Sequence, residues 1–160
     1  MTPAKATACN PVANNQSAIG FLQELDRALH DYLQWQKRLY RALISEGVIS
    51  HDDLAEDSHL RCAFGQWFDA LPQELKARDR ALDDMQEMHI RMHSAARALL
   101  ETHIAHQPIT APIFDAFVDL AQDFKLSMLK YQRRIISDAA EGLHAAHELR
   151  GETGEFLGVV

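Results

Sequence analysis

Three long stretches of this chain repeat apolar residues every three or four positions, and no stretch alternates apolar and polar residues. The first runs through Leu22, Leu25, Leu29, Leu33, Tyr40 and Leu43. The second runs through Leu75, Leu82, Met85, His89, Met92 or His93, Ala96 and Leu99 or Leu100. The third runs through Ile113, Phe117, Leu120, Phe124, Met128, Tyr131 and Ile135. A period near 3.6 puts such residues on one face of a helix, whereas a strand needs a period of two. Helices with one apolar stripe bury it against each other. The pattern therefore predicts an all-α fold, an antiparallel bundle of three long helices with a short extra helix in the segment "CAFGQWFDAL" (Cys62 to Leu71).

Helix punctuation sets the boundaries. Residues 1–16, "MTPAKATACNPVANNQ", are small and polar with two prolines and read as a disordered tail. A helix begins at Ser17, with Asn15 or Ser17 as its N-cap, and stops near Gly47. Val48 to His59 is acidic and irregular, a surface loop with at most one helical turn. Pro72 closes the short helix, and a long helix is expected from Gln73 to Ala105. Pro108 breaks the chain. Thr110 caps the last helix, Pro112 sits in its first turn, and it is expected to run to Asp138 or as far as Arg150. Gly151, Gly154 and Gly158 mark residues 151–160 as a flexible tail, leaving residues 17–150 as one helical body.

Charge removes whole classes of function. Sixteen Lys and Arg against 23 Asp and Glu leave a net charge of −7, which opposes a phosphate backbone, so no nucleic acid partner is expected. No apolar run approaches the roughly 18 residues of a membrane span. Met1 to Asn15 lacks the apolar centre of a signal peptide, and a cytoplasmic location is expected. A chain of 160 residues buries a core without staples, so a bound metal need not be structural.

The chemistry-bearing residues are Cys62, His89 and His93. His89 and His93 stand four apart in "MHIRMH", one turn apart on one helix face. Zinc takes cysteine sulfur and histidine nitrogen, commonly four donors in a tetrahedron. Two imidazoles at i and i+4 are a recurrent way to present two of them. Against this, most such pairs are surface coincidences, and a single buried cysteine is usually a small apolar residue. Trp35 and Trp67 read as core or seam aromatics, and Met85, Met88, Met92 and Met128 as core filler.

The string Cys62-Ala-Phe-Gly65-Gln-Trp67, followed after 21 residues by His89-x-x-x-His93, resembles the chemoreceptor zinc-binding (CZB) domain family. The resemblance implies a four-helix bundle, a zinc site of three histidines and one cysteine, and a homodimer that regulates chemoreceptors or diguanylate cyclases in bacteria. It matches Cys62, His89 and His93 to ligands. The family's first ligand is a His followed three residues later by Leu or an aromatic. His30-Asp-Tyr-Leu33 satisfies that form and makes His30 the expected fourth ligand. The alternative register ends on Trp35 and places Tyr32 at the ligand position. Two residues turn a helix by about 200°, so His30 and Tyr32 cannot both face inward. Tyr32 shares a face with Leu25, Leu29, Leu39 and Leu43, so face favours Tyr32 and ligand chemistry favours His30. His59, or water completing a three-ligand site, remain the other candidates for the fourth position.

The sequence holds no Gly-rich phosphate loop, no nucleophile elbow, no paired catalytic carboxylates and no H-E-x-x-H order, so no enzyme is expected. A zinc-bound cysteine is held as thiolate, the form oxidants attack. The expected role is a Zn2+-binding sensory and regulatory domain, responding to zinc or oxidant and controlling a chemoreceptor or diguanylate cyclase partner. A non-catalytic dimerising helical bundle with a degenerate metal site is the alternative. A haem or di-iron protein would need more His or Glu on facing helices. Asp138-Ala-Ala-Glu-Gly142-Leu143 faintly echoes the motif opening a cyclase domain, but a helix ending at Gly142 explains it equally. Only 18 residues follow, too few for a cyclase, so a stand-alone sensor acting through a partner or a regulatory domain cut from a larger protein is expected, with the tail favouring a short protein.

Overall fold

A computed structural model describes residues 11–45 and 47–154, with side chains for residues 17–45 and 47–144. The described residues form seven helices and no strand: α1 (Pro11–Ser45), α2 (His51–Leu54), α3 (Ser58–Arg61), α4 (Ala63–Ala70), α5 (Gln73–Arg78), α6 (Arg80–Ile104) and α7 (Ala111–Gly154). The all-α expectation holds. The chain divides into two compact units, Glu24–Tyr131 and a second one joining residues before and after it.

The helix ends differ from expectation in four places. α1 begins at Pro11, whose fixed φ and missing N–H suit a first helical position, so residues 11–16 are helix rather than tail. The remainder of the expected tail lies outside the described residues. The irregular stretch after α1 holds two short helices, not one turn. α7 continues through Gly142, which keeps ordinary helical φ, and through residues 151–154; residues 155–160 lie outside the described residues. The expected helix from Gln73 to Ala105 breaks at Asp79.

The break at Asp79 has a local cause. Its backbone is extended, at φ −114° and ψ 89°, and one carboxylate oxygen accepts the Ala81 N–H at 3.2 Å as the N-cap of α6. The other oxygen accepts the hydroxyl of Tyr131 on α7 at 2.8 Å. One side chain thus starts α6 and ties it to α7. Asp79→Ala removes both contacts and is expected to cost about 1–2 kcal/mol in urea unfolding. A loss below the error of that measurement would contradict this role.

Within Glu24–Tyr131, α1 buries Leu25, Ala28, Leu29, Tyr32, Trp35 and Leu39 on one stripe. Leu33, placed on that stripe by sequence, is 37% exposed, because one residue is a 100° turn and Tyr32 takes the inward direction. Ile113 is likewise exposed on α7, while Phe117, Phe124 and Met128 are fully buried. The Tyr32 ring stands edge-on to Phe124 at 5.2 Å, and Trp35 stands edge-on to Phe117 at 6.2 Å, so α1 and α7 meet through aromatic faces.

Candidate metal centre

Two of the three donors come from α6. Leu82, Met85, Met92, Ala96 and Leu99 define its buried stripe, and His89 and His93 lie inside it, 1% and 4% exposed. Their ring centroids are 4.7 Å apart at 87°. The i, i+4 spacing therefore faces the core, not solvent.

Cys62 arrives from the junction of α3 and α4. Ser50 caps α2 by accepting the Asp52 N–H, and the Arg61 guanidinium bridges Asp52 and Asp57 at 2.7 and 2.8 Å. These exposed pairs add little energy but orient the junction. Cys62 ends α3 in extended conformation and N-caps α4, its Sγ accepting the Gly65 N–H at 3.3 Å. This turn requires a glycine at 65. A Cβ there would overlap the His59 carbonyl oxygen and stand 2.9 Å from its carbonyl carbon. The backbones of α3 and α4 touch at Gly65, and that approach aims Cys62 at α6. Its Sγ lies 3.1 Å from His89 Nε2, and it donates to the His59 carbonyl at 3.5 Å.

Sulfur and imidazole nitrogens from Cys62, His89 and His93 all lie within 4.8 Å of one another. Aromatic rings wall them in. Phe64 and Phe124 stand 4.6 and 5.1 Å from the His89 ring, and Trp35 lies 4.8 Å from the His93 ring. The Trp35 indole N–H donates to Asp53 at 2.8 Å, joining α1 to α2 over the site. A cavity of about 340 Å3 adjoins the cluster, bounded by Tyr32, Trp35, Asp53 and Phe124 among others.

Burial sets the protonation states. It pushes the His89 pKa from 6.5 down to about 2, helped by the neighbouring His93, and the His93 pKa down to about 4, helped by His59. It pushes the Cys62 thiol up, against the backbone N–H groups of Gly65 and Phe64 that favour thiolate. The imidazoles are thus neutral and carry lone pairs at physiological pH. His89 sets its Nε2 against the sulfur and buries Nδ1 with no hydrogen-bond partner. One soft sulfur and two imidazoles suit zinc, at bond lengths of about 2.0–2.3 Å. A tetrahedron of that size spaces its donors by about 3.5 Å, within a small side-chain adjustment of the cluster. The donor set fits the metal.

The other sequence candidates are placed apart. His30 is exposed on α1 and is not brought to the cluster, because Tyr32, two residues on, takes the buried side. Tyr32 is 6% exposed and lines the cavity, and its hydroxyl donates to the Ala121 carbonyl of α7 at 2.7 Å. Burial raises the phenol pKa well above its usual value, so it keeps its proton. His59 is half-buried, its ring centroid 6.4 Å from that of His89 and its nitrogens outside the cluster. Sequence reasoning missed Asp53, which sits in an irregular acidic stretch without periodicity. It quoted Gly65 in a motif without seeing the His59 contact that demands it.

Residues 33–100 match the family model of the chemoreceptor zinc-binding domain. Over that span the chain is similar to the CZB domain. The matched span includes Cys62, His89 and His93 and begins after His30 and Tyr32. Among solved structures, the regulatory CZB domain of DgcZ shares this fold, with a TM-score of 0.64 and 20% identity over 74% of this chain and 98% of that one. No curated protein matches the chain.

Proposed function

We propose that this chain is a zinc-binding sensory and regulatory module of bacterial signalling. Cys62, His89 and His93 would hold the ion inside an antiparallel four-helix bundle. The observation that carries this reading is the convergence of one sulfur and two neutral imidazoles, from separate elements, within 4.8 Å of one another. Zinc would bind the thiolate and so supply a site that an oxidant attacks at a single sulfur. Either zinc occupancy or oxidation of Cys62 then changes how the α3–α4 junction is held on α6. That change is relayed along α7 to a chemoreceptor or diguanylate cyclase partner. The module is read as a cytoplasmic, non-enzymatic homodimer, with no nucleic acid or membrane partner. No helix among the described residues is long and apolar enough to cross a membrane.

The test is metal analysis of protein purified without added zinc. About one zinc per chain is expected. Cys62→Ser exchanges a thiolate for a neutral hydroxyl and is expected to weaken zinc binding about 10- to 100-fold, read by competition with a chelating dye. Equal retention in the variant would refute the assignment. Metal-free protein of ordinary stability would favour the second reading, a dimerising bundle with a decayed site, which Tyr32 in the place of a third imidazole supports.

A further inference from the structure

The cluster supplies three donors, and zinc held by cysteine and histidine takes four ligands. The fourth must come from what reaches the cavity beside them. Three of the oxygen-bearing side chains that line the cavity are already engaged. Tyr32 donates its hydroxyl proton to the Ala121 carbonyl at 2.7 Å. Asp53 accepts from the Trp35 indole at 2.8 Å, and Asp52 pairs with Arg61 at 2.7 Å. The nitrogens of His59 lie outside the cluster, and its ring does not line the cavity. His30 faces solvent on the far side of α1 from Tyr32. Tyr32, the buried α1 residue that lines the cavity, therefore offers only a protonated phenol held by a backbone carbonyl.

We propose that the metal site has three protein ligands, Cys62, His89 and His93, and a fourth position open to the cavity beside Tyr32, filled by solvent and exchangeable for a small anion. This rests on the zinc reading above. A divalent ion bound by one thiolate and two neutral imidazoles keeps one net positive charge. That charge favours an anionic donor, although the cavity wall carries only Arg38 and Arg61 against Asp31, Asp52 and Asp53. A cavity of about 340 Å3 admits a compact anion without moving a helix. A ligand that enters here competes with water alone, so this domain would report the chemistry of a small molecule as well as that of the metal.

The experiment uses the full chain loaded with cobalt(II), whose visible bands report coordination, with azide as the probe anion. Wild type should show a sulfur-to-cobalt band and a saturable azide-induced shift of the d–d bands. Tyr32→Phe keeps the packing and should retain both metal and shift. Tyr32→His should raise metal affinity about 10- to 100-fold and abolish the shift by filling the position. A sulfur band with no azide response in wild type overturns the open position while leaving the zinc site standing. So does loss of metal in Tyr32→Phe, His59→Ala or Asp53→Asn equal to that in Cys62→Ser, since each would reveal a fourth protein ligand. Absence of the sulfur band overturns both readings together.

Discussion

Gly65→Ala is expected to destabilise the protein by about 2–3 kcal/mol and to weaken zinc binding at least about tenfold. Two effects compete. Alanine at an interior helical position gains up to about 1 kcal/mol over glycine, and α4 alone would welcome it. The added Cβ, however, overlaps the His59 carbonyl oxygen. That atom is backbone and cannot rotate away as a side chain would. α3 must therefore separate from α4, and the separation acts on Cys62, the residue between them. The clash wins because the propensity gain is smaller than the usual cost of overpacking. Urea unfolding and zinc competition read the two consequences independently. If the variant is as stable as wild type and binds zinc as well, the close approach at Gly65 does not position the sulfur.

The metal-free protein is expected to lose about 4 kcal/mol of stability between pH 7.5 and pH 5 through His89 and His93. The sign follows from which state takes up protons. Unfolded, both imidazoles protonate near pH 6.5; folded, His93 waits until about 4 and His89 until about 2. Below pH 6.5 the unfolded state binds protons that the native state refuses, so stability falls with pH. The loss is about 1.4 kcal/mol per pH unit per ring, or about 2 kcal/mol each at pH 5, and it ends only where the folded values are reached. Above pH 6.5 neither state holds these protons and the contribution is flat. Bound zinc shifts the loss to lower pH, because an ion that binds only the native state stabilises it by mass action until protons displace it. Urea unfolding by circular dichroism at several pH values, with and without zinc, measures this. A metal-free stability that stays level from pH 7.5 to pH 5 would mean the two rings are solvated rather than buried.

The two histidines were legible because their placement is local. Helical rise and twist alone put His89 and His93 on one face, and the neighbours at 85, 92 and 96 show that this face is the buried one. The same argument predicted Tyr32 inward and His30 outward, and the structure agrees with that geometry over the chemical preference for histidine. The break at Asp79 was not legible. An aspartate inside a periodic run reads as a solvated side chain until Tyr131 supplies the contact that fixes its role.

What the sequence determined alone was the helical class, the inward stripe of each long helix and the pair of imidazoles, since each follows from a period of 3.6 residues and nothing further away. What only the tertiary structure decided was how the third donor, Cys62, which the motif had already named, reaches that pair. Cys62 lies 27 residues from His89 and meets it at 3.1 Å, across two short helices and a backbone contact between Gly65 and His59. No periodicity carries that distance. It depends on how tightly one turn packs on another, a matter of excluded volume between residues remote from the metal pair on α6.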